Sequence, residues 1–206
     1  MGTTTVFLYV FIAYHSVSRR GERRHSALQV EIDGRLGPDG YVIDFSVLKK
    51  AVRSACKALD ERTLIPLHCD GILVQRLPAP PQLQGAVQVS HTPLRQAAEP
   101  APPPASTAST AAGVPHIALT LADGSVFVLP EADCRLLPLS NVSVEELSVY
   151  LAEQVAAQLP LQQLLARGVK CIKVGVQETP NQKATFIVGL QALADSRAQA
   201  GAAEPQ

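Results

Sequence analysis

With 206 residues the chain can fill one good hydrophobic core, and its 18 basic residues balance its 18 acidic ones. That neutrality leaves no electrostatic footprint for a nucleic-acid backbone or a membrane surface, so neither is expected as a partner. The four cysteines (Cys56, Cys69, Cys134, Cys171) stand far apart without a CxxC pair. They form neither a zinc-ribbon spacing nor a disulfide framework, and a reducing compartment is the simplest setting.

In chain order, the first apolar run is Val6 to Ala13. It is about half the length of a bilayer span, and no Lys or Arg precedes it as in a secretory signal. Phe7, Tyr9 and Phe11 are spaced by two, which predicts a strand over Thr5–Tyr14. The following Arg19, Arg20, Arg23 and Arg24 keep a mitochondrial transit peptide open as the alternative to a cytoplasmic location. A second strand is predicted over Ser26–Asp33, with Leu28, Val30 and Ile32 on one face. Gly-Pro-Asp-Gly at 37–40 signals a turn.

From Phe45 to Leu59 the period changes to that of a helix, with Phe45, Leu48, Val52, Ala55 and Leu59 in one stripe. Asp44 or Ser46 is placed to cap it, and it closes on Leu59-Asp60-Glu61-Arg62. Between Leu77 and Pro115 the composition falls to Pro, Ala, Ser, Thr and Gln, too little apolar surface to offset the entropy of ordering. HIALTLADGSVFVLP then reads as a hairpin turning at Asp123-Gly124.

In SNVSVEELSVYLAEQVAAQL, Ser143 and Glu146 fit a capping box, and Leu147, Tyr150, Leu151, Val155 and Leu159 form the apolar stripe of a second helix. Strands over Val169–Glu178 and Ala184–Leu190 follow. Ile172, Val174 and Val176 share a face with Glu178, and a carboxylate at the inner end of an apolar strand must meet water or a donor. The expected organisation is one domain over 1–194, interrupted by a disordered Pro/Ala-rich insertion at 77–115 and a hairpin at 116–130, with a flexible tail at 195–206. Its class is α+β: a four-stranded antiparallel sheet with two helices, ordered β-β-α-(insert hairpin)-α-β-β. The open edges of such a sheet suit an oligomer.

FIAYHS, GPDGYVIDFSVLK, LDERTLIP, VLPEADCRLLPLSNVSVEELSVYL and VGVQETPNQKATF, in that order, resemble the 6-pyruvoyl-tetrahydropterin synthase family, which includes the 6-carboxytetrahydropterin synthases. The resemblance implies a tunnelling fold (T-fold) assembled as trimers or hexamers, with pterin sites between subunits. It also implies a lyase that eliminates triphosphate from 7,8-dihydroneopterin triphosphate, with zinc held by three histidines. By the same resemblance Glu178 anchors the pterin and Thr179 follows it, while Asn141, Ser143 (in place of Thr) and Glu145 stand at the helix start beside it. His15 matches the first zinc ligand and Asp60 the proton-relay aspartate.

The departures are specific. Glu61 replaces the relay histidine, and the other two zinc-ligand positions hold Glu22 and Arg24. No cysteine precedes the second strand. His15 alone suits an ordinary strand-end histidine, whereas His15, Glu22 and His25 form a chemically allowed zinc set. Arg24 opposes a dication there by charge repulsion. The reading is a pterin-binding family member whose zinc and proton-transfer residues are largely replaced, with Asp60 and Glu61 as the proton-transfer candidates. The alternative is a non-catalytic interaction or regulatory subunit that co-assembles with an intact paralogue.

Overall fold

A computed structural model of the chain describes residues 2–16, 23–78, 113–179 and 181–202, with 9–16, 23–25 and 200–202 as backbone alone. In chain order the elements are β1 (Thr4–Ser16), β2 (Arg23–Gly34), α1 (Phe45–Lys57), β3 (Thr63–Pro66), β4 (Ile72–Leu77), β5 (His116–Leu121) and β6 (Val126–Pro130). Then come β7 (Cys134–Leu137), α2 (Val144–Ala157), α3 (Leu161–Ala166), β8 (Cys171–Thr179), β9 (Gln182–Gly189) and α4 (Leu190–Ala202). The chain divides into two compact units, Met1–Ile72 with Asp133–Gln206, and Leu73–Ala132.

The first unit holds the expected four-stranded antiparallel sheet, ordered β1-β2-β8-β9. Its register aligns the apolar face: Val6 is opposite Ile32, and Leu28, Val30 and Ile32 are opposite Val176, Val174 and Ile172. A one-residue slip would turn that whole set to solvent, so burial fixes the register. Two short strands, β3 and β7, add in parallel at the β1 edge. At four residues each they are too short to announce themselves by alternation.

Leu48, Val52 and Ala55 of α1 and Leu147, Leu151 and Val155 of α2 complete the core against this face. Full burial of each larger side chain stabilises by roughly 1.5–3 kcal/mol. Phe45, expected in the α1 stripe, is 43 % exposed. It occupies the first helical position, where the Lys49 ammonium lies 5.9 Å from its ring centre. Asp44 supplies the cap, its carboxylate accepting from the Ser46 amide at 2.7 Å. At the end of β2, a Cβ on Gly34 would stand 2.7 Å from side-chain carbons of both Val42 and Val169, so this crossing needs glycine for space.

Residues 195–202 of the tail expected over 195–206 belong to the helix α4, and 203–206 lie outside the described residues. Alanine-rich sequence has high helix propensity, and this segment is held at its start. The buried Leu190 donates its amide to the Lys170 carbonyl at 2.9 Å, Leu193 packs on the core, and Arg197 donates to the Ala156 carbonyl at 3.1 Å.

The second unit is a three-stranded sheet, β4-β5-β6. Its central strand buries Ile117, Ala118 and Leu119. The hairpin loop is Ala122-Asp123-Gly124, closed by the Leu121 amide on the Ser125 carbonyl, with Gly124 at φ 82°. A left-handed third loop residue favours glycine. Residues 79–112, most of the Pro/Ala-rich insertion, lie outside the described residues.

Candidate functional site

The start of α2 is built by reciprocal capping. The Ser143 hydroxyl accepts from the Glu146 amide at 3.3 Å, as the capping box predicts. The Glu146 carboxylate reaches farther back than that box requires, accepting from the amides of Ser140 at 2.8 Å and Asn141 at 3.2 Å. It therefore pins the residues leading into the helix. Glu145, in the first turn, lies where a negative charge is favoured by the helix dipole.

Opposite this helix start, β8 breaks its pairing. Gln177 pairs with Lys183 and Thr179 with Gln182, so Glu178 is the extra residue of a β-bulge. Bulges re-aim a side chain and interrupt a ladder, and strand alternation does not reveal them. Glu178 and the α2 entry together line a cavity of about 450 Å³, with Asn141, Ser143 and Glu145 on one side and Asn181, Gln182 and Lys183 on the other. Three of the four ligand-binding residues expected from the sequence thus share one cavity. The fourth, Thr179, is exposed and does not line it, and its hydroxyl donates to Gln182 Oε1 at 3.4 Å.

Asn181 enters the cavity from the turn after β8, and Gln182 and Lys183 from the first residues of β9. Their only signal is their place directly after the ETP motif. Lys183 also hydrogen-bonds Gln29, and its stem lies across Gly175, where a Cβ would come within 2.6 Å of it. Two carboxylates, three side-chain amides and a hydroxyl give the cavity more acceptors than cationic donors. Such a lining suits a planar ligand edge rich in N–H groups.

Asp60 and Glu61 lie elsewhere, after α1, and neither lines this cavity. Both are exposed, and Glu61 adopts a left-handed φ of 54° at the turn out of the helix. Burial pushes the nearby Cys56 thiol up to about 12, with the charge of Asp60 adding to the effect. Cys56 is therefore a neutral packing residue at physiological pH.

Of the expected zinc set, Glu22 and the side chains of His15 and His25 lie outside the described residues. Only the backbone register places the histidines: His15 is opposite Arg23 and Thr63, and His25 is opposite Ala13. Among the described residues no three His, Cys, Asp or Glu side chains gather into a metal-holding group. No described helix is long and apolar enough to cross a membrane.

Comparison with curated proteins gives no match. Among solved structures, the chain is similar to Plasmodium vivax 6-pyruvoyltetrahydropterin synthase in a catalytic-residue mutant form, at 23 % identity and TM-score 0.67 over 92 % of this chain and 99 % of that one. The Plasmodium falciparum 6-pyruvoyl tetrahydropterin synthase gives 22 % identity and TM-score 0.67 over 91 % and 98 % of the two chains. The Caenorhabditis elegans synthase gives 12 % and 0.50 over 92 % and 98 %. Likeness at these identities shows a shared fold, the tunnelling fold expected from the motifs. The family model for 6-pyruvoyl tetrahydropterin synthase matches residues 21–187, spanning β2 to β9. The chain belongs to the 6-pyruvoyl tetrahydropterin synthase family.

Proposed function

We propose that this protein binds a pterin of the dihydroneopterin-triphosphate type, with the Glu178 carboxylate accepting from the ring's amidine-like edge. The observation that carries the reading is the cavity in which the bulged Glu178 meets Asn141, Ser143 and Glu145 at the α2 entry. Paired N–H donors on a carboxylate are charge-assisted and directional, which makes Glu178 both an anchor and an orienting group. The lining amides and hydroxyl supply the remaining polar contacts. The sites form within a homo-oligomer, as is usual in the family, or within a co-assembly with an intact paralogue.

If the protein turns over its substrate, the reaction is the family's triphosphate elimination, with Asp60 and Glu61 moving protons. The P. vivax relative supplies a precedent for carboxylate chemistry, since a glutamate is the residue replaced in its catalytic-residue mutants. The second reading, a non-catalytic pterin-binding or regulatory subunit, is favoured by Glu61 standing where the family has its relay histidine. Zinc analysis and turnover of dihydroneopterin triphosphate by the purified protein separate the two.

Fluorescence titration with neopterin tests the binding claim itself. Glu178→Ala removes a charge-assisted hydrogen-bonding partner worth about 1.5–3 kcal/mol. The expected result is a Kd about ten- to a hundredfold weaker. Equal affinity in the wild-type and Ala variants would remove Glu178 from the site.

A further inference from the structure

At the opposite end of β8 from Glu178 lies a second and larger cavity, of about 740 Å³. Its size suits a small organic ligand. Two arginines bound it. Arg167, directly after α3, has a side chain only 10 % exposed, and its guanidinium donates to the Tyr41 carbonyl at 2.7 Å and to the Asp39 carboxylate at 2.6 Å. These bonds hold the guanidinium in place while using two of the five donors such a group carries.

Arg35 comes from the segment after β2, and its amide donates to the Arg167 carbonyl at 2.8 Å. Its guanidinium atoms lie 3.0 to 3.4 Å from the point where a Cβ on Gly168 would stand. Glycine at φ 71° therefore serves two ends there, turning the chain and making room for the arginine. Among the described residues, no ion pair or side-chain hydrogen bond occupies the Arg35 guanidinium. Thr3, Thr4 and Gln163 add neutral polar groups, Leu36 adds apolar surface, and no carboxylate is among the lining residues.

We infer that this cavity binds a phosphate monoester about the size of a mononucleotide, held by Arg35 and Arg167. A guanidinium fork matches phosphate oxygens in a bidentate manner that an ammonium does not. Arg167 is preset by its protein partners, and Arg35 brings charge that no described acidic group neutralises. The Leu36 surface lies against the organic part. This site is separate from the one around Glu178 and does not rest on the pterin reading.

The test is calorimetric titration of the full chain with adenosine monophosphate, adenosine and inorganic phosphate. Adenosine monophosphate is expected to bind saturably, phosphate at least tenfold more weakly, and adenosine not measurably. Arg35→Ala should weaken nucleotide binding at least tenfold, with Arg35→Lys intermediate and Glu178→Ala unchanged. Because Arg35 is exposed, the Ala variant should keep the wild-type melting temperature. No saturable nucleotide binding by the wild type overturns the inference, as does unchanged affinity in Arg35→Ala. Loss of binding in Glu178→Ala assigns the nucleotide to the other cavity and also overturns it. So does an Arg35→Ala variant that sediments as a smaller species without losing nucleotide affinity, which makes the cavity a contact between copies.

Discussion

Arg167 shows how one side chain ties distant sequence together. It joins the turn at Asp39 and Tyr41 to the end of α3, and the Asp39 carboxyl is held below the usual carboxylate range chiefly by its hydrogen bond from Arg167. Asp33 is lowered by the Thr5 hydroxyl, at 2.5 Å, and then by Lys173, and Asp44 by the Ser46 amide. All three are acids depressed on folding. Their contribution is fully present above the unfolded carboxylate value of about 4 and is lost as pH falls through the lower folded values. The melting temperature should therefore drop as pH is taken below about 4. In Arg167→Ala the melting temperature at neutral pH should be lower and the fall in acid shallower, because Asp39 loses its main depressing partner and keeps only the hydrogen bonds from the Tyr41 amide and its own. A parallel pair of curves would deny Arg167 that role. At the same scale, the motif marks Glu178 as a candidate, whereas nothing in the chain marks Asn181, Gln182 or Lys183. Their position depends on a turn and a bulge, not on any period in the chain.

Among the elements, α2 connects stability to the site. Its capping residues were readable from Ser143 and Glu146, but the reach of Glu146 back to Ser140 and Asn141 was not, since it depends on how the preceding loop approaches. Glu146→Ala leaves two amides without that acceptor. It should cost about 1–2 kcal/mol in denaturant unfolding, the scale of a lost cap or charged hydrogen bond. Because Asn141 lines the Glu178 cavity while Glu146 does not, pterin affinity should also weaken, by several-fold. Loss of stability with unchanged affinity would separate the cap from the site. The contrast between α2 and α4 is also instructive. The α2 stripe of Leu147, Tyr150, Leu151 and Val155 is buried as its spacing predicts, and so is Leu159 just past the helix end. The α4 segment has no strong stripe; it is fixed by Leu190, Leu193 and one hydrogen bond from Arg197.

For the molecule as a whole, apolar burial between one sheet face and the two main helices contributes most to stability. Leu151 is 1 % exposed at that junction, and Leu151→Ala should destabilise by about 2–5 kcal/mol, measured by chemical denaturation. A cost below 1 kcal/mol would mean that the core repacks around the loss. The α+β class, the antiparallel strands and the two amphipathic helices were all legible in the chain alone, because period-two and helical burial patterns are local and repeated. So was the family, through motifs spread from the first strand to the ETP turn. The parallel additions β3 and β7, the helix α4, the bulge at Glu178 and the separation of Asp60 and Glu61 from the 450 Å³ cavity emerged only in three dimensions. Short strands, bulges and cavities are set by partners far along the chain, and those pairings leave no period to read.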